Sequence, residues 1–161
     1  MPWPWLFAVV KKNLFMTNFK NLKIVHVVAE VSPYSKVGGL GDVGYALPKA
    51  ISRLSHETII ISPYYGCVRA KNIKREKIEG NFKIQIAGTE YPVNFYKHVS
   101  PDNVPIYFIV NEEFFGGHQG IYRVMEVEAM RWIFFDPAAR RILRMRYTIQ
   151  SNACCLFRIT V

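Results

Sequence analysis

One stretch of this chain has the residue types and spacing to hold an anion: Ser32-Pro33-Tyr34-Ser35-Lys36-Val37-Gly38-Gly39-Leu40-Gly41-Asp42-Val43-Gly44. Glycines let the backbone come close to a ligand, and the first amides of a helix have no partner inside it. A glycine-rich turn that leads into a helix can therefore receive a phosphate. Lys36 adds a mobile positive charge beside those amides. Together they point to a phosphate-bearing or sugar-nucleotide ligand. Read literally, Gly39-Leu40-Gly41-Asp42-Val43-Gly44 also matches the dinucleotide fingerprint Gly-x-Gly-x-x-Gly. Two features oppose that reading. Its first glycine comes roughly ten residues after the preceding apolar run, where the fingerprint places it at once, and the next run closes Ile61-Ser62-Pro63 without the required acid. A Walker loop fails because Lys36 precedes the glycines and no Gly-Lys-Ser/Thr follows. A turn in which Gly38 and Gly39 only permit tight geometry, with Lys36 in solvent, fits the spacing equally well.

The elements that must position this turn are legible around it. Leu22 to Ala29 is a β-branched run with little alternation, which suits a strand covered on both faces. From Leu40 to Leu54 the residues Leu40, Val43, Ala46, Leu47, Ala50, Ile51 and Leu54 recur at three and four, predicting a helix with that face buried and a kink or restart at Pro48. Glu57 to Ile61 is a second strand, so strand, helix and strand form a right-handed βαβ unit with the turn at a strand's carboxyl end. Residues 69–79 are mostly charged and read as a solvated loop. Phe82 to Ala87 and Tyr91 to Val99 flank Gly88-Thr89 as a hairpin. Pro105 to Val110 is another apolar strand, Asn111 to Arg123 a loop, and Glu126 to about Phe135 a helix that Asp136-Pro137 would break or restart. Beyond Arg140 no coherent period is visible.

With 161 residues, half of them hydrophobic, the chain has the material for one globular domain. The formal charge of +9 invites a nucleic-acid reading that its distribution does not support. Residues 1–20 hold Lys11, Lys12 and Lys20, residues 140–161 hold Arg140, Arg141, Arg144, Arg146 and Arg158, and neither end carries an acid. Between them the remaining basic side chains are nearly balanced, because all 12 acidic residues lie there. No apolar run is long enough to cross a membrane. Cys67, Cys154 and Cys155 are odd in number and lack metal-ligand spacing, which fits a reducing compartment. Neither nucleic acid, membrane, metal nor cofactor is therefore expected. Met16 is the expected natural start, with residues 1–15 an upstream extension, and the apolar run Trp3 to Val10 lacks the features of a secretory signal.

The run from Lys23 to Ala50 resembles the amino-terminal signature of the bacterial glycogen synthase and plant starch synthase family: a strand, then Glu-x-x-Pro, then Lys-x-Gly-Gly-Leu-x-Asp-Val-x-x-Ala-Leu-Pro. Glu30, Pro33, Lys36, Gly38, Gly39, Leu40, Asp42, Val43, Ala46, Leu47 and Pro48 all fit it. Ile60 to Gly66, Tyr107 to Asn111, Phe114, Phe115 and Gly120-Ile121-Tyr122 are similar to later family segments. The resemblance implies an α/β fold, an incomplete Rossmann-like domain with an inserted β-hairpin, from the amino-terminal half of a two-domain GT-B glycosyltransferase. It implies transfer of glucose from ADP-glucose to the non-reducing end of an α-1,4-glucan with retention. By it Lys36, Gly38, Gly39 and Asp42 bind the donor, although Asp42 equally suits a first-turn acid that complements the helix dipole. His118 and Tyr122 fall on the acceptor side. No catalytic residue lies within the chain, the setting is the bacterial cytoplasm or a plastid with the first expected, and donor preference and oligomeric state stay open.

The sequence also departs from that pattern. A His-x-His/Asn-Asp-Trp type motif expected near residue 145 has no counterpart in Met145 to Val161, so residues 140–161 read as a divergent basic tail beyond a partial domain at 21–139, with residues 1–20 outside the fold. No activity is expected of this chain alone. Two alternatives stand beside this reading: a non-catalytic glucan- or nucleotide-binding module, and a dinucleotide-dependent enzyme. His26, in mid-strand, reads as a packed core residue.

Overall fold

A computed structural model describes residues 22–117, 120–122, 125–146 and 154–159, the last stretch and residues 125–127 by backbone alone. Strand β1 (Lys23–Val28) leads through the glycine-rich turn into helix α1 (Gly39–Ser52), then β2 (Glu57–Pro63) and the short α2 (Gly66–Ala70). The hairpin β3 (Glu76–Ile86) and β4 (Thr89–Val99) follows, then β5 (Pro105–Val110), a π-helical turn at Glu112–Gly116, helix α3 (Met125–Arg146) and β6 (Cys154–Ile159). The strands form a 6-stranded sheet in the order β3-β4-β5-β2-β1-β6.

The pairings β5-β2, β2-β1 and β1-β6 are parallel, and the hairpin continues the sheet antiparallel from β5. In chain order the parallel strands run third, second, first, fourth, which is the Rossmann order. It reverses between β1 and β6, where open α/β sheets bind ligands beyond the strands' carboxyl ends. The turn after β1 lies at that switch point. Helices cover both faces: on β5 the ring of Phe108 meets Tyr34 of the β1–α1 turn at 6.1 Å, while adjacent Tyr107 meets Arg146 of α3 at 5.9 Å. Neighbouring strand residues point to opposite faces, so α1 and α3 sandwich the sheet. This explains why β1, β2 and β5 read as continuous apolar runs, with Val25, Val28, Ile59, Ile60, Ile61, Phe108 and Ile109 fully buried.

Several expectations need correction. The stripe of α1 against the sheet is Gly41, Gly44 and Pro48 rather than the predicted apolar face; Val43, Ala46, Ala50 and Leu54 are exposed. Small residues bring the helix backbone close to β1, and α1 runs continuously through Pro48. Part of the charged stretch at 69–79 is not loop, because β3 begins at Glu76. As an outer strand it exposes both faces at its start, so no apolar alternation marks it. Residues 112–116 form a π-helical turn. Helix α3 passes Pro137 and continues beyond Arg140, since Ala138, Ala139 and Ile142 keep an apolar face buried. Residues 140–161 therefore include two helical turns and a strand whose backbone pairs with β1 from Lys23↔Cys154 to Val28↔Ile159. Residues 1–20 lie outside the described residues.

Candidate functional site

The turn after β1 is held from below before it offers anything to a ligand. Val31 and Ser35 pair as an isolated bridge with both N–H···O distances at 2.8 Å, and Ser32 N–H donates to the Gly41 carbonyl at 2.9 Å. The Ser32–Pro33 peptide is cis. Tyr34 drops into the core: its ring meets Tyr45, His98 and Phe108 edge-on, and its hydroxyl lies 2.9 Å from His98 Nε2. Lys71 donates to the Pro33 carbonyl from the far side.

The centre of the turn is a carboxylate. Glu30 is 2% exposed, and its Oε2 accepts from the amides of Val37 at 2.8 Å and Gly38 at 3.2 Å. Its Oε1 accepts from the Tyr122 hydroxyl. Burial opposes its ionisation, but the hydrogen bonds from Tyr122, Val37, Gly38 and Gly41 outweigh that and hold the carboxyl below its ordinary range. The expectation of bare amides is thus corrected at Gly38, whose amide already serves an internal anion. Gly44 explains the close fit of α1: a Cβ there would sit 2.3 Å from the Glu30 carbonyl oxygen, so no larger residue fits without moving backbone. At Gly41 a Cβ would meet Lys36 Cβ at 3.1 Å.

The face turned to solvent is different. A Cβ at Gly38 or Gly39 would have nothing within 4 Å, so a ligand can approach the backbone there. Lys36 stands beside it with Nζ 2.8 and 2.7 Å from the two oxygens of Asp42, in the first turn of α1, and both side chains are about half exposed. An exposed pair of this kind holds weakly, about 0–1 kcal/mol, so the ammonium can turn to an incoming phosphate. Asp42 also complements the helix dipole. Four of the residues named from sequence, Lys36, Gly38, Gly39 and Asp42, therefore share one open corner. Tyr122, named for the acceptor side, joins the same turn through Glu30, and burial first, then its bond to Glu30, raise the phenol's pKa. His118 lies outside the described residues.

Two residues that sequence reasoning left without a role organise this corner. Glu30 was visible as a motif residue, but nothing local shows that its carboxylate folds back under the turn. Arg131 of α3 gives no local signal. It is 1% exposed and donates to the carbonyls of Phe114 and Ile121, both at 2.7 Å, and to Glu128 at 3.0 Å. Its guanidinium also lies over Tyr65 and Phe115 at 5.3 and 5.4 Å. Arg131 thus fixes the segment that delivers Tyr122 to Glu30. Among the described residues no group of His, Cys, Asp and Glu could hold a metal ion, and no helix is long and apolar enough to cross a membrane.

The profile of the starch synthase catalytic domain family matches residues 23–152, most of the chain. The chain belongs to that family. Among curated relatives, the glycogen synthase of Anaeromyxobacter sp. (strain Fw109-5) is 35% identical over 101 residues, 63% of this chain and 20% of that protein. The glycogen synthase of Thermosipho melanesiensis is 33% identical over 125 residues, 77% of this chain and 26% of that protein. Among solved structures, the catalytic domain of starch synthase IV from Arabidopsis thaliana, bound to ADP and acarbose, superposes with a TM-score of 0.69 at 28% identity, covering 78% of this chain and 26% of that one. The chain thus spans about a quarter or less of the relatives it matches. The family reading from the Lys23–Ala50 motif holds, as does the α/β fold of an amino-terminal starch synthase portion.

His26, in the middle of β1, is the packed core histidine expected: it is fully buried, and burial pushes its pKa from 6.5 down to about 4. The folded state thus prefers neutral imidazole. A depressed histidine contributes stability that is present above pH 6.5 and fades as pH falls toward 4, where the unfolded chain binds the proton and the folded one does not. The shift is worth on the order of 3 kcal/mol. Urea midpoints measured from pH 7 to pH 4 are expected to fall steeply through that window, and the fall to be shallower in His26→Val. An equal slope in both would remove His26 as the cause.

Proposed function

We propose that this chain is the amino-terminal donor-side portion of a retaining glucosyltransferase that moves glucose from ADP-glucose to the non-reducing end of an α-1,4-glucan. The supporting observation is the corner at the switch point of the sheet: Lys36 beside the open faces of Gly38 and Gly39, over a turn already shaped by Glu30. A diphosphate entering there exchanges the exposed Lys36–Asp42 pair for a charge-assisted bond to its own oxygens, and the ammonium offsets the charge that grows on the departing nucleotide. Asp42, released from Lys36, becomes available to a sugar hydroxyl. Tyr122 lines the same corner from the acceptor direction, and His118 is assigned there with it. ADP is favoured over UDP because the superposed plant starch synthase holds ADP. The bacterial relatives support a bacterial cytoplasmic setting over a plastid one.

The donor corner is one wall of a cleft, and the residues that act on the glycosidic bond belong to the opposing wall. The 161-residue chain by itself is therefore expected to bind donor weakly and to catalyse no transfer. ADP-glucose should raise its melting temperature in a concentration-dependent way where NAD does not. Lys36→Ala should weaken that binding by about tenfold, the scale of one charge-assisted hydrogen bond. A melting temperature that responds to NAD alone would favour a dinucleotide enzyme. Glucan-dependent ADP release well above the Lys36→Ala control would contradict the inactivity.

A further inference from the structure

The outer edge of β3 lies beside the most basic face of α3. The hairpin turn Ala87-Gly88 has positive φ at both residues, 47° and 85°, the geometry of a two-residue type I′ turn. Such a turn is closed by a hydrogen-bonded pair, here Ile86↔Thr89, and pairs alternate from there: Gln85↔Glu90 and Lys83↔Pro92 are non-hydrogen-bonded. Proline at 92, with no N–H to give, fits that position. The N–H and C=O of Lys83 and Gln85 therefore point away from β4. Among the described residues no strand follows β3 in the sheet order. A cleft of about 250 Å³ opens at this point, lined by Lys83, Gln85 and, on one stripe of α3, Arg140, Arg141 and Arg144.

Charge and geometry restrict what fits. Lys83 is paired with Glu90 at 2.6 Å and Arg140 with Asp136 at 2.9 Å, whereas among the described residues Arg141 and Arg144 have no acidic partner. Arg141 is held ready, its guanidinium 5.5 Å over the Phe82 ring. A lone anion could use the arginines and the two amides but would leave the outward carbonyls of Lys83 and Gln85 without a donor. An extended peptide supplies donors and acceptors alternately and matches all four groups. The register shift between Ile78 and Phe82 limits the straight stretch to residues 82–86. The chain's own ends do not suit, since residues 1–20 and 147–161 contain no Asp or Glu.

We propose that the β3 edge from Phe82 to Ile86 is a docking site for an extended acidic segment of a partner protein, which adds a strand to the sheet and places carboxylates on Arg141 and Arg144. The test is fluorescence anisotropy of a labelled Glu-Val-Glu-Val-Glu peptide titrated with the 161-residue chain. The proposal expects saturable binding, weakened at least about tenfold when alternate peptide nitrogens are methylated and similarly by the double variant Arg141→Glu/Arg144→Glu. Amide shifts at Lys83 and Gln85 should accompany it. Circular dichroism checks that the double variant folds; if it does not, the methylated peptide on the parent chain still decides. Absence of saturable binding overturns the proposal. So does equal binding of the methylated peptide, which would make the contact charge alone, or displacement by inorganic phosphate at comparable concentration, which would make the cleft a simple anion site.

Discussion

Arg131→Met is expected to lower the free energy of unfolding by about 3–5 kcal/mol, the cost typical of removing one partner from a buried, hydrogen-bonded ion pair. Methionine keeps much of the packing against Tyr65 and Phe115 but offers no donor. The carbonyls of Phe114 and Ile121 then lose a guanidinium at 2.7 Å, and Glu128 loses its ion-pair partner. Because the Ile121 carbonyl adjoins Tyr122, the effect should reach the Tyr122–Glu30 contact, visible as faster exchange of the Val37 and Gly38 amides. Urea unfolding gives the first quantity and hydrogen exchange the second. A variant as stable as the parent would mean that Arg131 is packing alone.

The second large effect is expected at Glu30. Glu30→Ala removes the acceptor of the Val37 and Gly38 amides and of the Tyr122 hydroxyl together. Leaving such groups unsatisfied costs about 1–3 kcal/mol each where burial is complete; part of the turn is open to water, so a total of about 2–4 kcal/mol is expected. Glu30→Gln should recover much of it, because the amide oxygen can still accept from the turn while its NH2 donates to Tyr122. The carboxyl is held below its ordinary range, so the wild-type contribution is present above the unfolded-state pKa of 4.5 and is lost as pH falls through the folded one. The Gln variant should lack that acid-side loss. Unfolding curves at neutral and acidic pH separate the three chains, and equal stability of the parent and Glu30→Ala at neutral pH would remove Glu30 from its central place.

These residues also show where sequence reading stops. The βαβ unit, the hairpin and β5 were legible because covered strands read as apolar runs and the I′ turn carries its glycine, although the turn is Ala87-Gly88, one residue before the expected Gly88-Thr89. Helix α1 was legible as a helix but misjudged in orientation. Its hydrophobic pattern points outward at Val43, Ala46 and Ala50, while close approach to β1 is made by residues without bulk, at Gly41 and Gly44. Hydrophobicity reports burial by area, and a glycine contact buries little side chain. The continuation of α3 past Pro137 could have been found from Phe134, Phe135, Ala138, Ala139 and Ile142, which recur at helical spacing; proline and arginine masked it. The start of β3 at Glu76 gave no such signal, because its exposed residues carry no periodic record of their partner strand.

The site was half legible. Lys36, Gly38, Gly39 and Asp42 are near neighbours in sequence, and local turn chemistry brings them together. Glu30 acts across the turn and Tyr122 arrives from 92 residues away, so their convergence depends on tertiary structure. The resulting picture differs from a bare anion hole. The turn carries its own anion underneath, which fixes its shape and leaves the outer face of Gly38 and Gly39, with Lys36, for the ligand.

The most direct test is an amide NMR titration of the 161-residue chain with ADP-glucose, repeated on Lys36→Ala. Shifts are expected to concentrate at Lys36, Gly38, Gly39, Leu40 and Asp42, with smaller changes at Tyr122, and to be lost in the Lys36→Ala chain. Shifts confined to other surfaces, or unchanged in the variant, would contradict donor binding at this turn.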